Sequence, residues 1–287
     1  MASISELLTT GRTVSFEFFP PRSDEEQERL ANTIRLLQPL SPSFVSVTYR
    51  GGADSRERTT RVVLELLRTT SLTPMPHLTC VAHSRVELGD IVANFREGGI
   101  ENLLALGGDA LPDPAPRVDL RHAIELVELG RESGIPSIGV AAHPAGHPSS
   151  PDLESDRRHL AAKLSAADFA ITQFFFKVDE YLRLVDQLDR LGVHKPVIPG
   201  IMPITNLGSI TRMAQMSGYA LPADVAARVE RAGDDPKTVR QVGIEMASEL
   251  CRDLLAAGAP GLHFYTLNFS TATREIHAAL GLDSLLA

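Results

Sequence analysis

The sequence predicts a (β/α)8 TIM barrel, with residues 1–287 forming a single domain. Three observations carry that prediction. Short apolar runs alternate with longer amphipathic segments, the pattern of a parallel sheet built from strand–helix units. The runs number eight, which favours a closed barrel, although a doubly wound sheet carries similar numbers. The conspicuous polar residues fall late in the runs or just after them, where barrel enzymes keep their chemistry.

The expected strands, in order, are Val14–Phe19, Phe44–Tyr49, Met75–Cys80, Asn102–Gly107, Ser137–His143, Phe169–Phe175, Pro196–Met202 and Gly261–Leu267. Each is too short for a helix and rich in β-branched, aromatic or small apolar residues. The segments between them read as amphipathic helices: Asp24–Leu37, Arg56–Arg68, Val86–Glu97, Leu120–Ser133, Asp152–Ala167 and Asp179–Arg190. Asn206–Ala257 is long enough for several helices, and Thr271–Leu280 closes the chain. The patch "ALPDPAP" (Ala110–Pro116) reads as a surface loop.

Composition excludes several classes. A formal charge of −8 argues against a general polyanion-binding surface. Cys80 and Cys251, the only cysteines, suggest a reducing compartment and no disulfide framework. No CxxC or HExxH pattern marks a metal site. "MASISELLTTGR" lacks the apolar run of a signal peptide, and no stretch is long enough to span a membrane. A cytoplasmic protein is expected, with small-molecule ligands and neither nucleic acid nor membrane as partner.

Barrel geometry turns the polar residues into a candidate site. Along Val14–Phe19, Ser15, Glu17 and Phe19 share one face while Phe16 and Phe18 share the other. Phe16 and Phe18 then meet the outer helices, and Glu17 enters the barrel near its mouth. Apolar surroundings favour the neutral, proton-donating form of a carboxyl. The competing reading is an edge strand with Glu17 in water. Asp109, in "LGGD", follows two glycines that let backbone approach a ligand; an ordinary turn ending in Asp is equally compatible. Gln173 in "ITQFFF" is an amide in an apolar strand, suited to pairing with a heterocycle or with a neighbouring loop. His143 and His147, in "HPAGHP", have metal-like spacing, but two prolines and a glycine forbid a regular helix there. His77 in "PHLTC" is either a ligand contact or a core histidine. Asp156, His159 and Lys163 share a helical face that is either solvated or turned to a charged cofactor. Tyr181 begins a helix, where simple packing is the alternative.

Together the motifs "FEFFPP", "FVSVTY" followed by "SRERT", "PHLTC", "VAAHPAGHP", "AITQFFF", "IPGIMPIT" and "LHFYTLN" run in order over nearly the whole chain. In them the sequence resembles the catalytic domain of methylenetetrahydrofolate reductases of the bacterial type, without a regulatory domain. The resemblance implies noncovalent FAD, NADH or NADPH as reductant, a folate substrate, and a homo-oligomer. It implies Glu17 as general acid, Asp109 beside pterin and flavin, and Gln173 as the folate-binding amide. Flavin contacts are implied at Thr48, His77, Gly108, Asp109, His143, His147, Asp156, His159, Lys163 and Tyr181.

Some positions depart from that pattern. Gly107 stands where the family places an arginine, His143 where it has an aromatic, and His159 where asparagine is common. Ala162 replaces a basic residue, and Phe269 follows "TLN" in place of arginine. Loss of one charge-assisted contact is worth about 1.5–3 kcal/mol, or roughly ten- to hundredfold in affinity. Direct NADH-to-folate transfer without flavin therefore stands as an alternative. So do another flavin-dependent barrel of the proline-dehydrogenase kind and a non-catalytic folate binder.

Overall fold

Alternation along the strands decides what faces the interior. In β1 (Thr13–Phe18) Phe16 and Phe18 join the large core between strands and helices, while Ser15 and Glu17 face inward. The same rule holds in β2 (Phe44–Val47), where Val45 and Val47 face the helices and Phe44 and Ser46 face inward. The computed structural model describes residues 3–49, 53–108 and 119–282. Its remaining strands are β3 (Pro74–Thr79), β4 (Asn102–Leu106), β5 (Ser137–Ala142), β6 (Phe169–Thr172), β7 (Val197–Ile198), β8 (Gly200–Ile201) and β9 (Gly261–Tyr265).

All the pairings are parallel, in the order β7-β6-β5-β4-β3-β2-β1-β9-β8. The two ends of that order are consecutive in the chain. β7 and β8 are one expected strand, Pro196–Met202, divided at Pro199, which has no N–H to offer a ladder. The Pro199 carbonyl still accepts from the N–H of His263 (3.0 Å). The segment Val197–Ile201 thus joins β6 to β9 and completes the ring of a TIM barrel.

The helices follow the amphipathic segments: α2 (Asp24–Leu37), α3 (Ala53–Thr69), α4 (Arg85–Glu97), α5 (Ala123–Glu132), α6 (Leu153–Ala166) and α7 (Val178–Arg190). Asn206–Ala257 resolves into α8 (Leu207–Met216), α9 (Ala223–Glu230) and α10 (Pro236–Ala256), and α11 (Thr271–Leu280) ends the described chain. α8 and α9 build a second apolar cluster with Phe174, Met202 and Ile204, apart from the main core. Polar contacts tie it to α7: the Tyr219 hydroxyl donates to Glu180 (2.9 Å), and Lys177 pairs with Asp224 (2.8 Å).

One helix was not anticipated. α1 (Ile4–Thr10) closes the N-terminal end of the barrel. The Ile4 N–H donates to Asn102 Oδ1 (2.8 Å) and the Ser5 N–H to Ser137 Oγ (3.1 Å), at the starts of β4 and β5. Ile4 then packs with Phe44, Met75, Leu104, Phe169, Ile171 and Ile198 inside the barrel. The lower interior is therefore apolar and plugged, and the polar inward residues are left to the C-terminal end. No described helix is long and apolar enough to cross a membrane. Asp109 and Ala110–Pro116 lie outside the described residues.

Candidate functional site

Glu17 is the centre of the polar end. Its side chain is buried (8% exposed), and Oε2 lies 3.6 Å from His77 Nε2 and 3.8 Å from His263 Nε2. No Arg or Lys among the described residues pairs with it. His263, at 1% exposure, is held from both sides. Ser15 Oγ donates to the Leu262 carbonyl (3.3 Å) and lies 2.8 Å from His263 Nδ1, so it accepts the proton carried there. Ser46 Oγ sits 3.5 Å from Nε2, and Phe44 stacks on the ring with centroids 6.0 Å apart. His263 and Ser15 were not singled out in the sequence, yet the alternation that turns Glu17 inward turns Ser15 inward too.

The end of β1 is clamped from β9. The Asn268 side chain accepts from the Phe19 N–H and donates to the Phe19 carbonyl, both at 2.9 Å, and Thr266 Oγ1 donates to the Glu17 carbonyl (2.6 Å). Leu267 and Asn268 both have positive φ, which presents that amide to β1. The "TLN" segment thus fixes the backbone that carries Glu17.

β3 supplies two inward polar atoms, His77 Nε2 and Thr79 Oγ1, which are buried without a hydrogen-bond partner among the described residues. Burial pushes His77 down to about 4, against a smaller opposing pull from Glu17, so it is a neutral imidazole near neutral pH. Thr48 continues the inward face of β2 and is buried. Gly108 continues β4 with φ +92, and an added Cβ would stand 2.3 Å from Val81 Cγ2 and 3.0 Å from Thr79 Cβ. Only glycine fits that turn.

The "HPAGHP" segment is a turn, with the Gly146 N–H donating to the His143 carbonyl (2.9 Å). The His143 and His147 rings meet edge-on at 4.7 Å. Burial holds His143 down to about 4, assisted by His147 and Lys163. Asp156 and Arg157, both buried at the start of α6, brace this turn. Asp156 Oδ1 accepts from the His147 N–H (2.9 Å) and Ser150 Oγ (3.3 Å), and Oδ2 pairs with Arg157 (2.5 Å). Arg157 in turn donates to the carbonyls of His143 (2.9 Å) and Pro144 (2.6 Å) and to Gln187 (2.7 Å). Lys163 is half-buried, and its ammonium makes no hydrogen bond or ion pair with a described residue; burial lowers it to about 8, against a smaller pull from Asp156.

Gln173 leaves β6 at the same end. Its N–H donates to the Ala142 carbonyl (2.7 Å) and its Oε1 accepts from the Phe174 N–H (3.0 Å), while its NH2 has no described partner. The structure therefore gathers Glu17, Thr48, His77, Gly108, His143, Lys163 and Gln173 at one end of the barrel. It does not bring in every expected contact. Tyr181 packs behind the strands: it stacks on Phe175 (6.2 Å) and its hydroxyl donates to the Val197 carbonyl (2.9 Å). That is the packing alternative, because α7 turns its apolar face, Tyr181 included, to the barrel wall. His159 lies on the exposed side of α6, and Asp156 is engaged by the turn it braces.

The depressed values of His77 and His143 predict a pH dependence. Their folded values of about 4 lie below the unfolded value of about 6.5, so between about pH 6.5 and 4 the unfolded chain binds more protons. Stability is full above that window and falls on acidification through it, on the order of 1 kcal/mol per pH unit for His77. Urea midpoints measured at pH 7, 6 and 5 should fall in that order. A flat series would contradict the burial assigned to these rings.

The methylenetetrahydrofolate reductase family profile matches residues 3–281. The chain is 38% identical to the 5,10-methylenetetrahydrofolate reductase of Pectobacterium carotovorum subsp. carotovorum, over 98% of this chain and 93% of that one. It is 37% identical to the Escherichia coli enzyme of the same name, over 94% and 90% of the two chains. Among solved structures, a protein from Clostridium thermocellum that binds two copies of 5-methyl-5,6,7,8-tetrahydrofolic acid superposes with a TM-score of 0.67 at 11% identity, covering 96% of this chain and 98% of that one. At that identity the likeness speaks for the fold.

Proposed function

Because the chain belongs to the methylenetetrahydrofolate reductase family, we propose that it reduces 5,10-methylenetetrahydrofolate to 5-methyltetrahydrofolate with NADH or NADPH as the reductant. The observation that carries this reading is Glu17: a buried carboxyl at the barrel mouth, beside a neutral imidazole and with no cation paired to it.

The substrate's methylene carbon bridges N5 and N10 in a five-membered ring. Hydride cannot add readily while both nitrogens hold that carbon. A proton delivered to N10 breaks the N10–carbon bond and leaves an electrophilic iminium at N5, which hydride converts to methyl. Glu17 delivers the proton. His263, fixed by Ser15, and the clamp from Asn268 and Thr266 hold Glu17 in place. Gln173 presents its unengaged NH2 to the pterin. Asp109, by family position, is the carboxylate that would stabilise the cationic iminium.

The residues present also fit a flavin. His77 Nε2 and Thr79 Oγ1 are buried polar atoms in need of partners at this end of the barrel. Lys163 and His143 stand by to meet an anionic, heteroaromatic group. When bound, FAD supplies hydride relay between NADH and folate. A second reading, direct transfer from NADH to folate, draws on Asp156, whose carboxylate is already committed to His147, Ser150 and Arg157.

Purified protein assayed for NADH oxidation with methylenetetrahydrofolate, beside its visible spectrum, tests both. Folate-dependent oxidation with flavin bands supports the flavin route. The same activity in colourless protein supports direct transfer. No folate-dependent oxidation with either NADH or NADPH rejects the reductase assignment.

A further inference from the structure

The strand ladder breaks beside Gln173. β6 pairs with β7 through Ala170–Val197 and Ile171–Ile198. Continued in register, that parallel ladder would give the Thr172 carbonyl the N–H of Gly200. Instead the Gly200 N–H donates to Thr172 Oγ1 (2.8 Å), and Gly200 and Ile201 pair with His263 and Phe264 of β9. The Thr172 carbonyl is taken by the Tyr265 hydroxyl at 2.6 Å, reaching from β9 to β6 across the Pro199 break.

Gly200 permits that reach. A Cβ there would stand 2.6 Å from Tyr265 Cε2, 2.8 Å from its hydroxyl oxygen and 2.2 Å from the Thr172 carbonyl oxygen. The Thr172 carbonyl shares its peptide plane with the Gln173 N–H, which donates to Ala142 (2.7 Å). Both polar groups of that plane are therefore pinned, one by Tyr265 and one by β5. Phe174, whose N–H holds Gln173 Oε1 at 3.0 Å, also packs edge-on against the Tyr265 ring at 6.4 Å. Burial, with Glu17 nearby, keeps the phenol well above its usual range, so it remains a donor.

We propose that Tyr265 is a positioning residue for folate binding: its hydroxyl sets the Thr172–Gln173 peptide plane, and with it the amide that receives the pterin. This rests on the function proposed above. Tyr265→Phe keeps the ring and removes the bond to Thr172. It should raise KM for methylenetetrahydrofolate about five- to tenfold, the worth of one well-placed hydrogen bond. kcat should fall less than KM rises, and KM for NADH should stay within twofold of the parent. In a Gln173→Ala background the same change should move folate KM by less than about twofold, since the amide it positions is gone. A parental folate KM in Tyr265→Phe, or an equal rise in both backgrounds, overturns the proposal while leaving the reductase reading intact. A parent chain that does not reduce methylenetetrahydrofolate overturns that reading and this one together.

Discussion

Replacing Glu17 with glutamine is expected to lower methylenetetrahydrofolate reduction by about 10²–10⁴-fold, the usual worth of a positioned general acid. Glutamine keeps the size and one carbonyl oxygen of the side chain, so its neighbours His77 and His263 lose little packing. It removes only the transferable proton. His77, held neutral by burial, is not an imidazolium ready to replace it near neutral pH. Binding of 5-methyltetrahydrofolate should survive, because Gln173, the residue proposed to receive the pterin, leaves β6 and is held apart from β1. Steady-state rates and product-binding titrations on one preparation separate the two effects. A Glu17→Gln variant that turns over at the parental rate removes Glu17 from the chemistry. Rate and binding lost together would mean that Glu17 positions the substrate rather than protonating it.

The parts of this molecule that were legible in the sequence are those governed by local periodicity. Period two in "VSFEFF" places Glu17 inside and Phe16 and Phe18 outside, and both placements follow from one rule. Asp24–Leu37 ends where its amphipathic pattern ends, with the same boundaries in the structure. Pro196–Met202 reads as one strand, but its two halves serve different neighbours because Pro199 cannot donate. Apolar length does not mark α1 in "MASISELLTTGR"; its signal is the capping box of Ser3 and Glu6 that starts the helix. Side-chain partnerships between distant elements were not legible. Nothing local says that Tyr265 will cross to Thr172, or that Tyr181 will donate to Val197 behind the wall. Asp156 illustrates the same limit. Its spacing from Lys163 marks a shared helical face, but its immediate neighbour Arg157 decides where its charge goes.

That neighbour supports the second large expectation: Arg157→Met should destabilise the fold by about 3–5 kcal/mol. Methionine fills much of the same volume along an unbranched stem, so the loss is mainly polar. Arg157 is 3% exposed and its guanidinium satisfies Asp156, Gln187 and the carbonyls of His143 and Pro144 at once. Its removal strands a buried carboxylate and two backbone acceptors, and a buried charge without its partner is among the costliest defects a single substitution makes. Burial already lowers the Arg157 pKa, so its positive charge is carried at an energetic cost that only these acceptors offset. Asp156→Asn combined with Arg157→Met removes both charges and should recover part of the loss, giving a double variant more stable than the sum of the single changes predicts. Urea unfolding of the parent, both single variants and the double variant measures that coupling. A cost under about 1 kcal/mol for Arg157→Met, or strict additivity, would show the pair to be a surface contact in energetic terms. The same variants report on the site: with the brace gone, the turn carrying His143 and His147 loses two of its fixed carbonyls, and affinity for the proposed flavin should weaken in step with the loss of stability.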